Sequence, residues 1–173
     1  RSMNVGDGME PGVNMGPVIS AVHKERVLGY VERGSAEGAT LALDGRLRSL
    51  PRDGFFVGPS VFDAVTPAMT ISRDEIFGPV LSVIPFDTEE AAICMANDSV
   101  YGLAASVWTD NLSRALRVSD RLMAGTVSVN TVDALSAMTP FGGMKQSGFG
   151  RDLSLHSFDK YTALKTTWIK YAT

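Results

Sequence analysis

The chain has 173 residues, 45% of them hydrophobic and 20% charged, an ordinary globular composition that is long enough to bury one sizeable core. Its formal net charge of -3 argues against a nucleic-acid or anionic-membrane partner, and no apolar run approaches the ~18 residues that span a bilayer. One cysteine excludes an internal disulfide and a cysteine-based zinc site, so a reducing, cytoplasmic compartment is the expectation.

The first stretch, "RSMNVGDGMEPG", has no apolar core for a signal peptide and reads as a loop entered midway. After Gly16-Pro17 a helix is expected. Val22, Val27, Tyr30, Val31 and Gly34 form its buried face, His23, Lys24, Glu25, Arg26 and Glu32 its wet side, and Gly34 and Gly38 are stop signals. "ATLALDG" alternates like a strand. "FFVGPSVF" is strand-like, but Gly58-Pro59 demotes it to an edge or bulged strand. "PVLSVIPF" reads as a strand covered on both faces. Asp87 is expected to cap the helix "TEEAAICMAND", with Glu90 at the capping-box position. "LAASVWT" is a strand, Asp110 or Asn111 caps "LSRALRVSDRLMA", and "TVSVN" is a further strand. Strands alternating with helices imply an α/β chain with a parallel, helix-covered sheet. A Gly-rich loop, "TPFGGMKQSGFGRD", precedes a short helix and a final alternating strand, which more often pairs with something outside its own sheet.

Several residues invite a chemical reading. "FGGMKQSGFGR" fails both phosphate-loop patterns, because Leu153 stands where G-x-G-x-x-G needs its third glycine. A surface loop needing positive φ is the plainer interpretation, with Lys145 and Arg151 the features that favour a functional one. Cys94, mid-helix between Ile93 and Met95, reads as a small buried hydrophobe rather than a nucleophile. His23 and His156 form no metal-ligand or triad spacing and read as solvated or capping. Glu75 and Phe77, two apart in an extended segment before Gly78-Pro79, project to one side. A carboxylate can accept two hydroxyls of a ribose diol and an aromatic face can brace a flat heterocycle. A surface glutamate beside a core phenylalanine is the alternative. Asp133 and Glu75 as an acid/base pair has only composition behind it.

"EIFGPVLSV", "ANDSVYGLAASVWT", "AGTVSVN" and "PFGGMKQSGFGR", in that order, closely resemble the C-terminal part of the NAD(P)-dependent aldehyde dehydrogenase superfamily, as do "VGDGMEPGVNMGPVIS" and "GFFVGPSVF". "SLHSFDKYTALKTTWI" is most similar to members acting on amino-aldehydes, such as γ-glutamyl-γ-aminobutyraldehyde dehydrogenase. The resemblance implies a parallel-sheet catalytic domain, its C-terminal portion over residues 1–160, and an oligomerisation strand over residues 161–173. It implies oxidation of an aldehyde to a carboxylate by thiolate addition, hydride transfer to NAD or NADP and hydrolysis of the thioester.

By the same resemblance Glu75 binds the nicotinamide ribose and Phe77 packs beside the nicotinamide. Asp133, Leu135 and Phe141 line the substrate tunnel; Leu135 matches a position that is often aromatic, which disfavours a flat substrate. Lys145 and Gly148 match carbonyls that hold a monovalent cation in some members. The nucleophile, in a Gly-Gln-x-Cys-type motif, belongs upstream in the family, and Cys94 matches an ordinary helix position. The chain is therefore expected to be inactive alone and its parent a homodimer or homotetramer. A non-catalytic self-associating module of the same fold is the alternative.

Overall fold

The computed structural model describes residues 3–51, 53–132 and 134–172. The chain forms two compact units, residues 1–86 and 87–173.

The first unit is built on helix α1 (Ala21–Ala36), which Ser20 caps by accepting the His23 N–H at 3.2 Å. Val27, Tyr30, Val31 and Gly34 form the expected buried stripe, but Val22, 75% exposed, is not part of it. The helix also runs past Gly34. It ends in a Schellman turn, with the Gly38 N–H donating to Ser35 O and the Ala39 N–H to Gly34 O, and Gly38 at φ +95°. Gly34 instead permits close packing: a Cβ there would meet Phe62 Cζ at 3.1 Å.

Three strands follow, β1 (Thr40–Leu43), β2 (Ser60–Asp63) and β3 (Val80–Ser82), in spatial order β1-β2-β3. The β1–β2 pair is antiparallel, not parallel, because the described residues between 44 and 59 carry only a one-turn 3₁₀ helix, Gly45–Leu47, and no helical crossover. The β2–β3 pair is parallel, with α2 (Thr70–Arg73) in its connection. Contrary to expectation β2 is the central strand. Pro59 lies just before it, so the missing N–H falls outside the ladder, and the irregularity sits in β1 between Leu41 and Leu43. Nor is β3 covered on both faces: Leu81 is 58% exposed, for an apolar run shows that a strand can be covered but not what covers it. The core gathers Val27, Tyr30, Val31, Val57, Phe62, Val65, Ile71 and Ile76.

In the second unit, Thr88 rather than Asp87 caps α3 (Glu89–Asn97), accepting the Ala91 N–H at 3.1 Å. Asn111 caps α4 (Leu112–Arg121). Strands β4 (Ala104–Val107) and β5 (Thr126–Val129) flank α4 in sequence and pair in parallel register, Ala104 with Thr126 through Val107 with Val129. Cys94 is exposed, a correction to the buried reading: Ile93 takes the buried face of α3 and the next residue turns about 100° away. Residues 155–160 form a 3₁₀ helix, and residues 162–172 join no strand among the described residues. The tail expected to be a strand pairs with no sheet edge among the described residues, and Leu164, Trp168 and Tyr171 are exposed along it.

Glu90 does not close a capping box. Its carboxylate takes Arg121 at 2.6 and 2.5 Å, while Glu89 takes Arg117 at 2.6 and 2.8 Å and Arg114 at 3.2 Å. Hydrogen bonds from these guanidinium groups hold both carboxyls below their ordinary range. A carboxyl whose folded value is depressed stabilises the fold above its ordinary value of 4.5, and that contribution disappears as pH falls through the lowered value. Thermal melts from pH 7 to pH 3 are expected to show an acid limb that the double substitution Glu89→Gln, Glu90→Gln flattens and that 1 M salt (Debye length about 3 Å) attenuates. An identical limb in the variant would assign it to other carboxylates.

Candidate functional site

The segment Asp74–Gly78 is fixed by one face of α1. The Tyr30 hydroxyl donates to Asp74 Oδ2 at 3.0 Å, and Arg26 Nη2 donates to the Glu75 carbonyl at 3.2 Å. Gly78 lies against Val27, whose Cγ2 a Cβ at Gly78 would meet at 2.6 Å. Positions 26, 27 and 30 share that face by helical spacing. The Tyr30 ring is itself flanked by the Arg26 and Arg33 guanidinium carbons, 5.7 and 5.0 Å from its centroid. Between the anchors Ile76 plunges into the core, and its two neighbours face outward.

Phe77 is 73% exposed and adopts φ +59°. An aromatic residue in the left-handed region is an outlier held by its surroundings, and such outliers cluster at ligand clamps. The left-handed turn, rather than simple strand alternation, brings the Phe77 ring and the Glu75 side chain to the same clefts. One, about 460 Å³, is lined by Asp74, Glu75, Phe77 and Ser82; the other, about 400 Å³, by Ser20, His23, Arg26, Glu75 and Phe77.

His23 corrects a sequence reading. It is half-buried, not solvated, and its Nε2 is enclosed without a hydrogen-bond partner. A buried ring nitrogen without a partner is an unsatisfied polar group, and the His23 ring lines the cleft shared with Glu75. The signal was present: stepping back four residues from Val27 puts His23 on the stripe that continues through Tyr30 and Gly34. Arg26 is exposed, as expected of the wet side, and its guanidinium also holds the clamp. His156 is exposed.

In the second unit a cleft of about 280 Å³ lies over β4 and β5, floored by Ser106, Thr126 and Ser128 and walled by Leu135 and Phe141. Leu135 and Phe141 are thus brought together, while Asp133 lies outside the described residues. Phe141 is pinned by reciprocal backbone bonds with Asp152, 2.9 and 2.7 Å. Lys145 projects its ammonium onto the carbonyls of Asn97 and Ser99 at 2.8 and 2.9 Å, completing the C-terminus of α3. Its own carbonyl accepts the Gly148 N–H at 3.4 Å, and Gly148 sits at φ +120°. Arg151 bonds the carbonyls of Gly143 and Gly150, so the Gly-rich segment is a folded backbone turn. Among the described residues no three histidine, cysteine or acidic side chains converge on a metal position.

Residues 1–167 match the family model described as the aldehyde dehydrogenase family. The chain belongs to that family. It is 47% identical over 170 residues to a betaine aldehyde dehydrogenase of Rhizobium etli, covering 98% of this chain and 35% of that protein. Among solved structures it is similar to the aldehyde dehydrogenase KauB from Pseudomonas aeruginosa, with 50% identity and a TM-score of 0.92 over 98% of this chain and 34% of that one. An NAD+ complex of an aldehyde dehydrogenase from Bacillus cereus gives 48% identity and a TM-score of 0.91 over 98% and 34% of the two chains. The chain therefore spans about a third of the length of these relatives, with the expected α/β fold and with parallel pairing at β2–β3 and β4–β5. Among its described residues no helix is long and apolar enough to cross a membrane.

Proposed function

We propose that this chain supplies part of the cofactor edge and part of the substrate wall of an enzyme that oxidises an aldehyde to a carboxylate with NAD(P)+. The observation that carries this reading is the Asp74–Gly78 clamp, in which a free carboxylate and a left-handed, exposed aromatic ring face the same clefts. The residues fit a nicotinamide ribose. Glu75 offers acceptors for both hydroxyls, His23 lines the same cleft, and the Phe77 ring is placed to brace a flat group. When bound, the nicotinamide ring accepts the hydride; Glu75 and Phe77 orient it and take no part in bond breaking. The NAD+ complex of the Bacillus cereus relative supports this assignment, and the reading extends to NADP.

In this reading Leu135 and Phe141 wall the aldehyde's path together with Asp133, and the carbonyls of Lys145 and Gly148 are the groups that would face a monovalent cation. An aliphatic amino-aldehyde is the favoured substrate class. The relatives named for betaine aldehyde support it, as does the aliphatic Leu135; a γ-glutamyl-γ-aminobutyraldehyde-like substrate is one member of that class. The exposed tail, residues 162–172, is proposed to add to a sheet of a second copy, giving a homodimer or homotetramer. Cys94 has no role in the chemistry, and the 173-residue chain alone is proposed to be inactive.

Steady-state kinetics test this. In a chain of the relatives' full length carrying this segment, Glu75→Gln removes the charge from hydrogen bonds worth about 1.5–3 kcal/mol, so the KM for NAD+ is expected to rise about tenfold or more. The KM for aldehyde and all parameters of Cys94→Ala should stay unchanged. An unchanged KM for NAD+ in Glu75→Gln, or loss of turnover in Cys94→Ala, would sink the reading.

A further inference from the structure

Where β5 ends, Asn130 does something its neighbours do not. Its backbone N–H continues the ladder by donating to the Val107 carbonyl at 2.8 Å. Its side chain then takes over from the backbone. Oδ1 accepts the Thr109 N–H at 2.8 Å, and Nδ2 donates to the Thr109 carbonyl at 2.9 Å. The carboxamide satisfies both main-chain groups of Thr109, as a peptide unit on a neighbouring strand would. With the side chain acting as the next rung, the main chain of Asn130 is released from the sheet and turns at φ +54°. The segment it launches carries Val132, Ala134 and Leu135 into the cleft that Phe141 closes.

We propose that Asn130 is a positioning residue for the substrate wall, and so sets which aldehyde tails are accepted without touching the reacting atoms. This inference rests on the assignment of Leu135 and Phe141 to the aldehyde's path. The chemistry singles out asparagine. Aspartate keeps the acceptor and the left-handed backbone but sets a charge against the Thr109 carbonyl. Glycine suits the backbone but leaves both Thr109 groups unpaired. Alanine loses the clamp and strains the turn. Loss of the clamp should displace Leu135 while leaving the β4–β5 register, which eight other residues set, in place.

The test uses a chain of the relatives' full length carrying this segment, with Asn130→Gly, Asn130→Asp and Asn130→Ala compared for short and long aliphatic aldehydes. In all three, the KM for the preferred aldehyde should rise about tenfold or more, and the ratio of kcat/KM between tail lengths should collapse towards one, with the KM for NAD+ unchanged. Amide hydrogen exchange in the same variants should show Thr109 losing protection while Val107 and Ser128, within the β4–β5 ladder, retain theirs. A KM for NAD+ that rises in step with that for aldehyde, or an unchanged ratio in variants whose Thr109 has lost protection, would overturn the proposal. Failure of the unsubstituted protein to oxidise any aldehyde would instead remove the functional reading beneath it, and the exchange data would still report the clamp.

Discussion

Phe62→Ala is expected to be the most damaging single truncation in the first unit, at about 3–5 kcal/mol. Phe62 is fully buried on the central strand β2, and Gly34 of α1 packs against its ring edge. Removing the ring opens a cavity bounded by a helix on one side and by strands held on both edges on the other, so collapse around it is restricted. Domains of this size are stable by only about 5–15 kcal/mol, so the loss is a large share of the total. The denaturant midpoint should fall accordingly, with an unchanged slope. Phe62→Leu should retain more than half of the lost stability. Equal midpoints for Phe62→Ala and the unsubstituted chain would mean that the first unit does not unfold around this core.

Gly125→Ala should be the worst single addition in the second unit. A Cβ at Gly125 would stand 1.7 Å from the Gly142 carbonyl oxygen, a backbone atom that cannot swing aside as a side chain can. Overpacking costs about 1–3 kcal/mol where neighbours can relax. Here relief requires moving the start of β5 or the whole Gly-rich turn, which Arg151 ties down through the carbonyls of Gly143 and Gly150. The expected cost exceeds about 3 kcal/mol, visible as loss of cooperative unfolding in this unit. Gly29→Ala is the contrast. Nothing lies within 4 Å of a Cβ there, it is inside α1, and alanine should stabilise by about 0.5–1 kcal/mol. A well-folded Gly125→Ala protein of unchanged stability would show that the Gly142 carbonyl can move aside at little cost.

What could be read from the residues follows a physical boundary. Local signals survived: the Val27–Tyr30–Val31–Gly34 stripe, the turn at Gly38, and the alternating β4–α4–β5 order. Adjacent candidates were harder, since Asp87 and Thr88 both suit a helix start and only the helix register chooses between them. Signals that depend on distant partners were not legible. The antiparallel return of β2, the exposure of Leu81 and the pairing of Glu90 with Arg121 follow from what comes to lie opposite them. The candidate site divides in the same way. Glu75 and Phe77 were singled out by residue type and resemblance, but the extended segment expected of them is broken at Phe77, since no rule assigns a left-handed backbone to a phenylalanine, and the carboxamide of Asn130 finds its partner 21 residues away. His23 was legible and was misassigned by one helical face.

The left-handed backbone at Phe77 also bears on how such a protein can be improved. Asparagine or glycine would occupy φ +59° with less strain, and a ring that is 73% exposed adds little burial in return. A screen scored only on heat resistance would therefore be drawn to this codon and would discard the ring, whereas, under the cofactor role proposed for Phe77, growth on an aldehyde would hold it in place. Directed evolution under the two pressures should part company at position 77 before anywhere else in the first unit.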